Sequence, residues 1–369
     1  MVLERLEWYR LCFIEGLCFS NVYFSLLQRQ LRVCAVTNKT RWGRGERGFP
    51  KVTRLYAATE SAMVVVENGR VELTLKERGA RCLAVDPKDP DTLYAGTSDE
   101  GLFKGSDGGR GWERLSGIAH PRITSVAISP VDGAIYAGTE PSTLFLSRDG
   151  GGSWRELEGL KDLPSAPTWS FPPRPWTSHV SSIALSYEDP DLIVAGIELG
   201  GVVRSGDGGE SWQDQRPGAY ADCHTLGTHA AAPNTVYEAA CGGFAQSQDF
   251  GDSWVAADEG LEQRYVWGLA VDQEDPSLLY VSAAAGPGRA HGGGSSDAAI
   301  YRQSGAQRWE PVLEHLADFP YALVADPERP GGLYAGLGDG TILRSGDAGT
   351  SWDEVARVPG LDALAVVAA

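Results

Sequence analysis

Carboxylates, imidazoles, guanidiniums and exposed-type aromatics are the groups in this sequence that could do chemistry, and their spacing limits what that chemistry is. Glu140, Glu198 and Asp222 are the candidate catalytic carboxylates, and Glu140 with Glu198 would serve as the pair that a glycosidic hydrolysis needs. His179, Asp222, His224 and His291 have the side-chain types of a divalent metal site. Their spacing matches no compact ligand motif, so neither a metal nor another cofactor is expected. Asp222-Cys223-His224 has the composition of a nucleophile cluster. Adjacent residues on a strand point to opposite sides, however, which separates the thiol from the imidazole. Arg81, Arg122, Arg174 and Arg264 offer cations, while Trp176, Tyr265, Trp267 and Tyr321 offer rings for stacking.

The elements that must position these groups are legible from a repeat. Leu-Tyr-Ala-Gly-Thr at 93–97 recurs as Ile-Tyr-Ala-Gly-Thr at 135–139 and Leu-Tyr-Ala-Gly-Leu at 333–337, with weaker copies starting at Leu55, Ile193, Val236 and Leu279. An apolar strand precedes six of these seven, and a third strand follows each. In six a fourth strand opens near a tryptophan. Four short strands per unit, bounded by turn residues, make a propeller blade. The expected fold is all-β, a single seven-bladed β-propeller over residues 54–369. The terminal apolar strand, Leu361–Ala368, supplies the innermost strand that the first unit at Arg54 lacks, so joining the ends closes the ring without an open edge.

The turn between the third and fourth strands reads SRDGGGSW at 147–154, SGDGGESW at 205–212, SQDFGDSW at 247–254 and SGDAGTSW at 345–352. An aspartate here can accept bonds from turn N–H groups, a glycine permits positive φ, and the tryptophan pins the turn to the blade. The copy ending at Trp112 keeps Asp107 but has Gly105 and Gly111 in place of serines, and the copy ending at Trp309 has Ser304 where the aspartate stands. The pattern resembles the Asp-box, or BNR, repeat of sialidase-like propellers. Recurrence in nearly every blade marks Asp107, Asp149, Asp207, Asp249 and Asp347, with Trp112, Trp154, Trp212, Trp254 and Trp352, as scaffold.

The resemblance implies a fold more firmly than an activity. Sialidase-like glycosidases use three arginines, a Tyr–Glu pair and an aspartic acid, and that set does not map onto this sequence. Arg122-Ile123 follows His120-Pro121, and no proline comes after it. Larger Asp-box endoglucanases use two propellers, whereas this chain has room for one. Some Asp-box relatives serve instead as assembly factors or receptors.

Residues 1–53 read differently from the rest. Residues 1–54 hold ten Lys/Arg against four Asp/Glu, so the remainder carries a net charge near -23 out of the total of -17. That acidic body argues against nucleic acid as a partner and favours a soluble monomer. The apolar run 11–27 is interrupted by Glu15 and Asn21 and is short for a span. No membrane association is expected, and the extension is read as outside the folded unit, with Val52 as the natural start. Cys12, Cys18 and Cys34 lie in the extension and Cys82, Cys223 and Cys241 in the body, with no disulfide or zinc spacing. A reducing, cytoplasmic setting is the expectation, with export the alternative should residues 11–27 act as a signal or anchor.

In a propeller, the D–A connections between blades and the B–C loops within them share one face, and the A–B and C–D turns share the other. Both insertions, 158–178 and 284–298, therefore fall on the face opposite the aspartate turns. Arg81, Arg122, His179, Asp222, His224, Tyr265, Trp267 and Tyr321 stand at the mouth of the innermost strands, and Glu60, Glu140 and Glu198 occupy one equivalent B–C position. His120, His291 and His315 fall in the same loops, and Arg174 and Trp176 in the first insertion. The expected function is non-catalytic binding of a protein, peptide or carbohydrate at this mouth. The alternative is a glycoside hydrolase with a divergent carboxylate site.

Overall fold

The structure is a computed structural model that describes residues 53–171, 177–292 and 294–368. The extension with its apolar run, the Val52 start, Arg174 and Trp176 lie outside the described residues. Among those residues, no helix is long and apolar enough to cross a membrane.

Seven antiparallel sheets follow one another around a ring. Six have four strands, A to D from the axis outward, and one has three. Blade one runs from Ala80 to Arg114, blade two from Ile123 to Glu156, blade four from Cys223 to Ala256, blade five from Tyr265 to Leu316 and blade six from Pro320 to Arg357. Blade seven is composite, with A strand Leu361–Ala368 paired along Thr53–Thr59, followed by Met63–Glu67 and Arg70–Thr74. The ring thus closes as the repeat implied.

The Leu-Tyr-Ala-Gly repeat has a packing cause. A Cβ on Gly96 would sit 2.5 Å from the Cys82 sulfur and 2.7 Å from an Ile123 methyl, and one on Gly138 would sit 2.7 Å from Val180. In both cases the next blade's A strand lies against the glycine, so any side chain would force the blades apart. The tyrosine two residues earlier reaches the next blade instead. Tyr94 donates to the Gly150 carbonyl at 3.2 Å, Tyr56 to Pro90 at 3.3 Å and Tyr237 to Pro276 at 2.7 Å.

The turns behave as chemistry requires. In SRDGGGSW, Asp149 accepts from the Ser153 amide at 2.8 Å, the Ser153 hydroxyl at 2.6 Å and the Ser147 hydroxyl at 2.8 Å. Asp207, Asp249 and Asp347 repeat these bonds. Hydroxyl and amide donors favour the ionised form, which holds the Asp249 carboxyl down at about 2 despite some burial. The indole N–H groups of Trp112, Trp212, Trp254 and Trp352 donate to a glycine carbonyl three residues back, whereas that of Trp154 is buried without a partner. Asp107 departs from the pattern. With glycines in place of both serines its carboxylate has neither hydroxyl to accept from, and its own backbone takes φ 53°.

Blade three corrects one expectation. Its sheet has three strands, Val180–Leu185, Ile193–Ile197 and Gly201–Ser205, and the fourth is reduced to a single bridge between Arg204 and Gln213. The cause is the first insertion. Asp214 accepts from the Ser165 amide at 2.9 Å and from its hydroxyl, which draws the chain off the sheet edge after Gln213.

Candidate functional site

The B–C glutamates hold equivalent places for a backbone reason. The amides of Glu60, Glu140 and Glu198 donate to the carbonyls of Gly360, Arg122 and His179, each just before or beside the start of an A strand. Their side chains are thereby delivered to the mouth. Around it the structure builds two linked networks.

The first spans blades two to four. Arg122 Nη1 donates to Glu140 Oε2 at 3.1 Å, and Thr177 donates to Oε1 at 3.0 Å. A rim cavity of about 330 Å³ opens beside this pair, lined by Ser98, Asp99, His120, Pro121 and Pro141. His179 Nε2 meets Glu198 Oε2 at 2.6 Å, with both side chains largely buried. Burial opposes charge on each, but the partner outweighs it, so the His179 pKa is raised and that of Glu198 lowered. The Leu199 amide donates to Asp222 Oδ1 at 3.1 Å.

The second is an aromatic wall on blades four to six. His224 stacks on Trp267 with centroids 4.4 Å apart and packs on Tyr265 at 4.8 Å. The second insertion folds a short helix, Pro287–Ala290, over blade five and lowers His291 between two tyrosines. Tyr321 donates to the Ala290 carbonyl at 3.4 Å, so it accepts from His291 Nδ1 at 2.9 Å, and Nε2 accepts from Tyr265 at 2.7 Å. Burial, then the nearby His224, push the His291 pKa down to about 4, so the ring is neutral and both nitrogens are committed. Phe319 closes the back of this wall.

Several sequence-derived candidates take other places. Arg264 is paired with Asp258, which also accepts from Tyr220 at 3.0 Å. His315 stays on the outer rim, exposed and paired with Asp297. The Cys223 thiol is buried against Gly196 and its pKa is pushed well up by burial, which removes it as a nucleophile. Trp169, which lies in the first insertion, is in the core with Leu160 and Leu163, its N–H bonded to Ser165 at 3.0 Å. An apolar segment of this length lowers its free energy by covering blade three rather than standing in water.

Two groups escaped the sequence reading. Glu238 is fully buried in a B strand, with Oε2 taking the Tyr220 amide at 3.1 Å and Oε1 unpartnered, and burial raises its pKa to about 8. Asp362 is held in the innermost strand of blade seven, and burial lifts it to about 6 against the pull of Arg81. Asp362 aligns with Arg81, Thr124 and Ser181, a polar position of the innermost strands, but Glu238 stands where the repeat has alanine, as in Val-Tyr-Glu at 236–238. That break in the repeat was the available signal for Glu238.

The sequence matches no protein-family model and no curated protein. Solved structures share the fold. A GH74 xyloglucanase from Xanthomonas campestris superposes with a TM-score of 0.67 at 16% identity, over 82% of this chain and 52% of its own. An ancestral GH74 enzyme gives 0.60 at 16% identity, over 84% of this chain and 40% of its own. The chain therefore spans about half the length of these enzymes or less. YCF48 bound to D1 peptide gives 0.52 at 17% identity, over 82% of this chain and 85% of its own. At these identities the likeness establishes a seven-bladed propeller and nothing narrower.

Proposed function

We propose that this chain is a non-catalytic Asp-box propeller that binds a peptide or protein segment across the mouth. The observation that carries this reading is that the mouth's candidate acids are already engaged. Glu140 holds Arg122 and Thr177, and Glu198 holds His179. Glycoside hydrolysis needs one carboxyl kept protonated and in reach of the leaving oxygen. The Glu198 pKa moves the wrong way, and the raised Glu238 is sealed inside the blade. What the mouth offers instead is a wall of rings, Trp267, Tyr321 and His291, whose positions are fixed by packing and hydrogen bonds. With an acidic body, such a wall suits a segment that carries Lys or Arg. The peptide complex of YCF48 supports a propeller of this size acting so.

Glycoside hydrolysis is the second reading. One observation favours it: donor atoms of Glu198 and Asp222 lie within 4.8 Å of each other, close to the spacing of a retaining pair. The test runs both arms on one preparation. The D1 peptide and a peptide array graded from Lys-rich to Glu-rich are scored for binding, and xyloglucan and aryl glycosides for hydrolysis. Binding of basic peptides that falls at least about tenfold in Trp267→Ala and Tyr321→Ala, without turnover, is expected. Hydrolysis that disappears in Glu198→Gln, or an array with no bound peptide, would overturn the binding reading.

A further inference from the structure

We propose that the mouth holds a divalent transition-metal ion between His224, Asp222 and Glu198, with His179 as the residue that positions Glu198. This inference stands apart from peptide binding, and either could fail without the other.

Topology brings the three together. Glu198 follows the B strand of blade three, Ile193–Ile197, while Asp222 and His224 flank Cys223, the first residue of the A strand of blade four, where the pairing register shifts. One donor atom from each lies within 4.8 Å of the other two. His224 Nε2 and Asp222 Oδ2 are 3.7 Å apart, beyond a hydrogen bond. Three donors around a cation at about 2.1 Å stand roughly 3 to 3.5 Å apart, so His224 and Asp222 need to close in by a few tenths of an ångström and the widest separation by up to roughly 1.8 Å.

The decisive atom is His224 Nε2. The side chain has no solvent exposure, and this nitrogen has no hydrogen-bond partner. A buried polar atom left open costs stability unless something else satisfies it. The other nitrogen explains which form the ring takes. Nδ1 lies 2.6 Å from the Val266 carbonyl, which can only accept, so Nδ1 carries the proton. In the neutral ring Nε2 then presents a lone pair toward the two carboxylates. An imidazole whose far N–H is fixed by a carbonyl is the usual arrangement of a metal-binding histidine.

The carboxylates are held in the same manner. Asp222 spends Oδ1 on the Leu199 amide at 3.1 Å, which leaves Oδ2 on the His224 side. Glu198 spends Oε2 on His179 Nε2 at 2.6 Å, which leaves Oε1. Each ligand is thus aimed by a bond to its second atom. His291 is excluded as a fourth ligand, because both its nitrogens are taken by tyrosines. One imidazole and two carboxylates suit Zn²⁺, Mn²⁺ or Co²⁺ better than Ca²⁺, which prefers six to eight oxygens. Three protein ligands also leave a coordination position open to water or to a carboxylate from outside. The sequence concealed this set because Glu198 is 24 residues from Asp222, with a C strand and a D–A connection between them.

The test uses the full chain, stripped with chelator and titrated calorimetrically with Zn²⁺ and Mn²⁺, with Co²⁺ absorption as the spectroscopic readout. One equivalent bound per chain is expected, with a Co²⁺ d–d band and a raised melting temperature. Asp222→Asn and His224→Ala should each weaken binding by at least about a hundredfold, and His179→Gln by roughly ten- to a hundredfold through Glu198. Asp222→Asn keeps the side-chain shape and serves if His224→Ala fails to fold. Metal-free melting and far-ultraviolet dichroism of these variants report on fold separately. No binding of Zn²⁺, Mn²⁺ or Co²⁺ up to about a millimolar would overturn the proposal. So would one-equivalent binding that Asp222→Asn leaves unchanged, which would assign the metal to other residues such as the cysteines of the extension.

Discussion

The two ends of this propeller are built from opposite kinds of interaction. On the turn end, each complete aspartate turn satisfies itself within eight residues, and the same bonds recur in four blades. At the mouth the side-chain pairings do not repeat, and the partners are 18 or more residues apart, as in Arg122 with Glu140 and Thr177 with Glu140. Buried atoms without a partner stand there as well, His179 Nδ1, His224 Nε2 and Asp362 Oδ2, against Trp154 Nε1 among the aspartate turns. The lesson is that local closure makes a scaffold, while cross-blade pairing left incomplete makes a site.

Opening the ring should separate the two ends most sharply. Removing residues 361–369 strips the A strand that pairs with Thr53–Thr59 along its whole length, and takes Leu361 and Leu364 from the core of blade seven. Mouth geometry depends on ring closure, whereas the turns do not. The truncated protein is expected to melt at least about ten degrees lower, or without a cooperative transition. Its aspartate turns should persist in amide-exchange measurements. A truncation that melts with the full-length protein would mean that the ring is held elsewhere.

Glu238 tests what an incomplete pairing costs. Its folded pKa of about 8 exceeds the unfolded value near 4.5, so between those limits the folded state keeps a proton that the unfolded state has released. Stability therefore falls as pH rises through this window, by about 5 kcal/mol once pH exceeds 8. Glu238→Gln removes the titration but leaves an unpartnered amide in place of the hydroxyl, a cost of about 1–2 kcal/mol at all pH values. The two melting curves should cross. The variant is expected to be less stable at pH 5 and more stable at pH 9, and parallel profiles would show that Glu238 is not held neutral.

The contrast also explains what could be read in advance. Blade number, strand positions and ring closure are written in a repeat, because Gly96 and Gly138 must admit the neighbouring strand and Tyr94 must reach the next turn. Which strand ends face the mouth was legible too, since they converge on one face of any propeller, although Arg264 and His315 pair off elsewhere. The pairings were not. Whether Glu198 meets His179 depends on loop geometry, and nothing local in Trp169 says that it turns inward to cover blade three. The lost fourth strand of blade three had the same cause, a contact between Asp214 and Ser165 spanning 49 residues.

The smallest effect sharpens the scaffold side, by comparing a complete aspartate turn with its degenerate copy. Asp249 accepts three bonds, and Asp107 has lost the serines that would supply two of them. Asp249→Ala leaves those donors free, but the turn is exposed and water replaces much of what is lost. The net cost is about 1 kcal/mol, or one to three degrees of melting temperature. Asp107→Ala should cost less, since the serine bonds are already gone. The difference carries its own pH signature. The Asp249 carboxyl is held down at about 2, so its contribution is present above the ordinary carboxylate range and disappears as pH falls through 2. Asp249→Ala and the parent should therefore converge in strong acid, while the Asp107→Ala difference stays small throughout. Equal losses in the two variants at neutral pH would show that the glycines and the tryptophan, rather than the carboxylate, hold these turns.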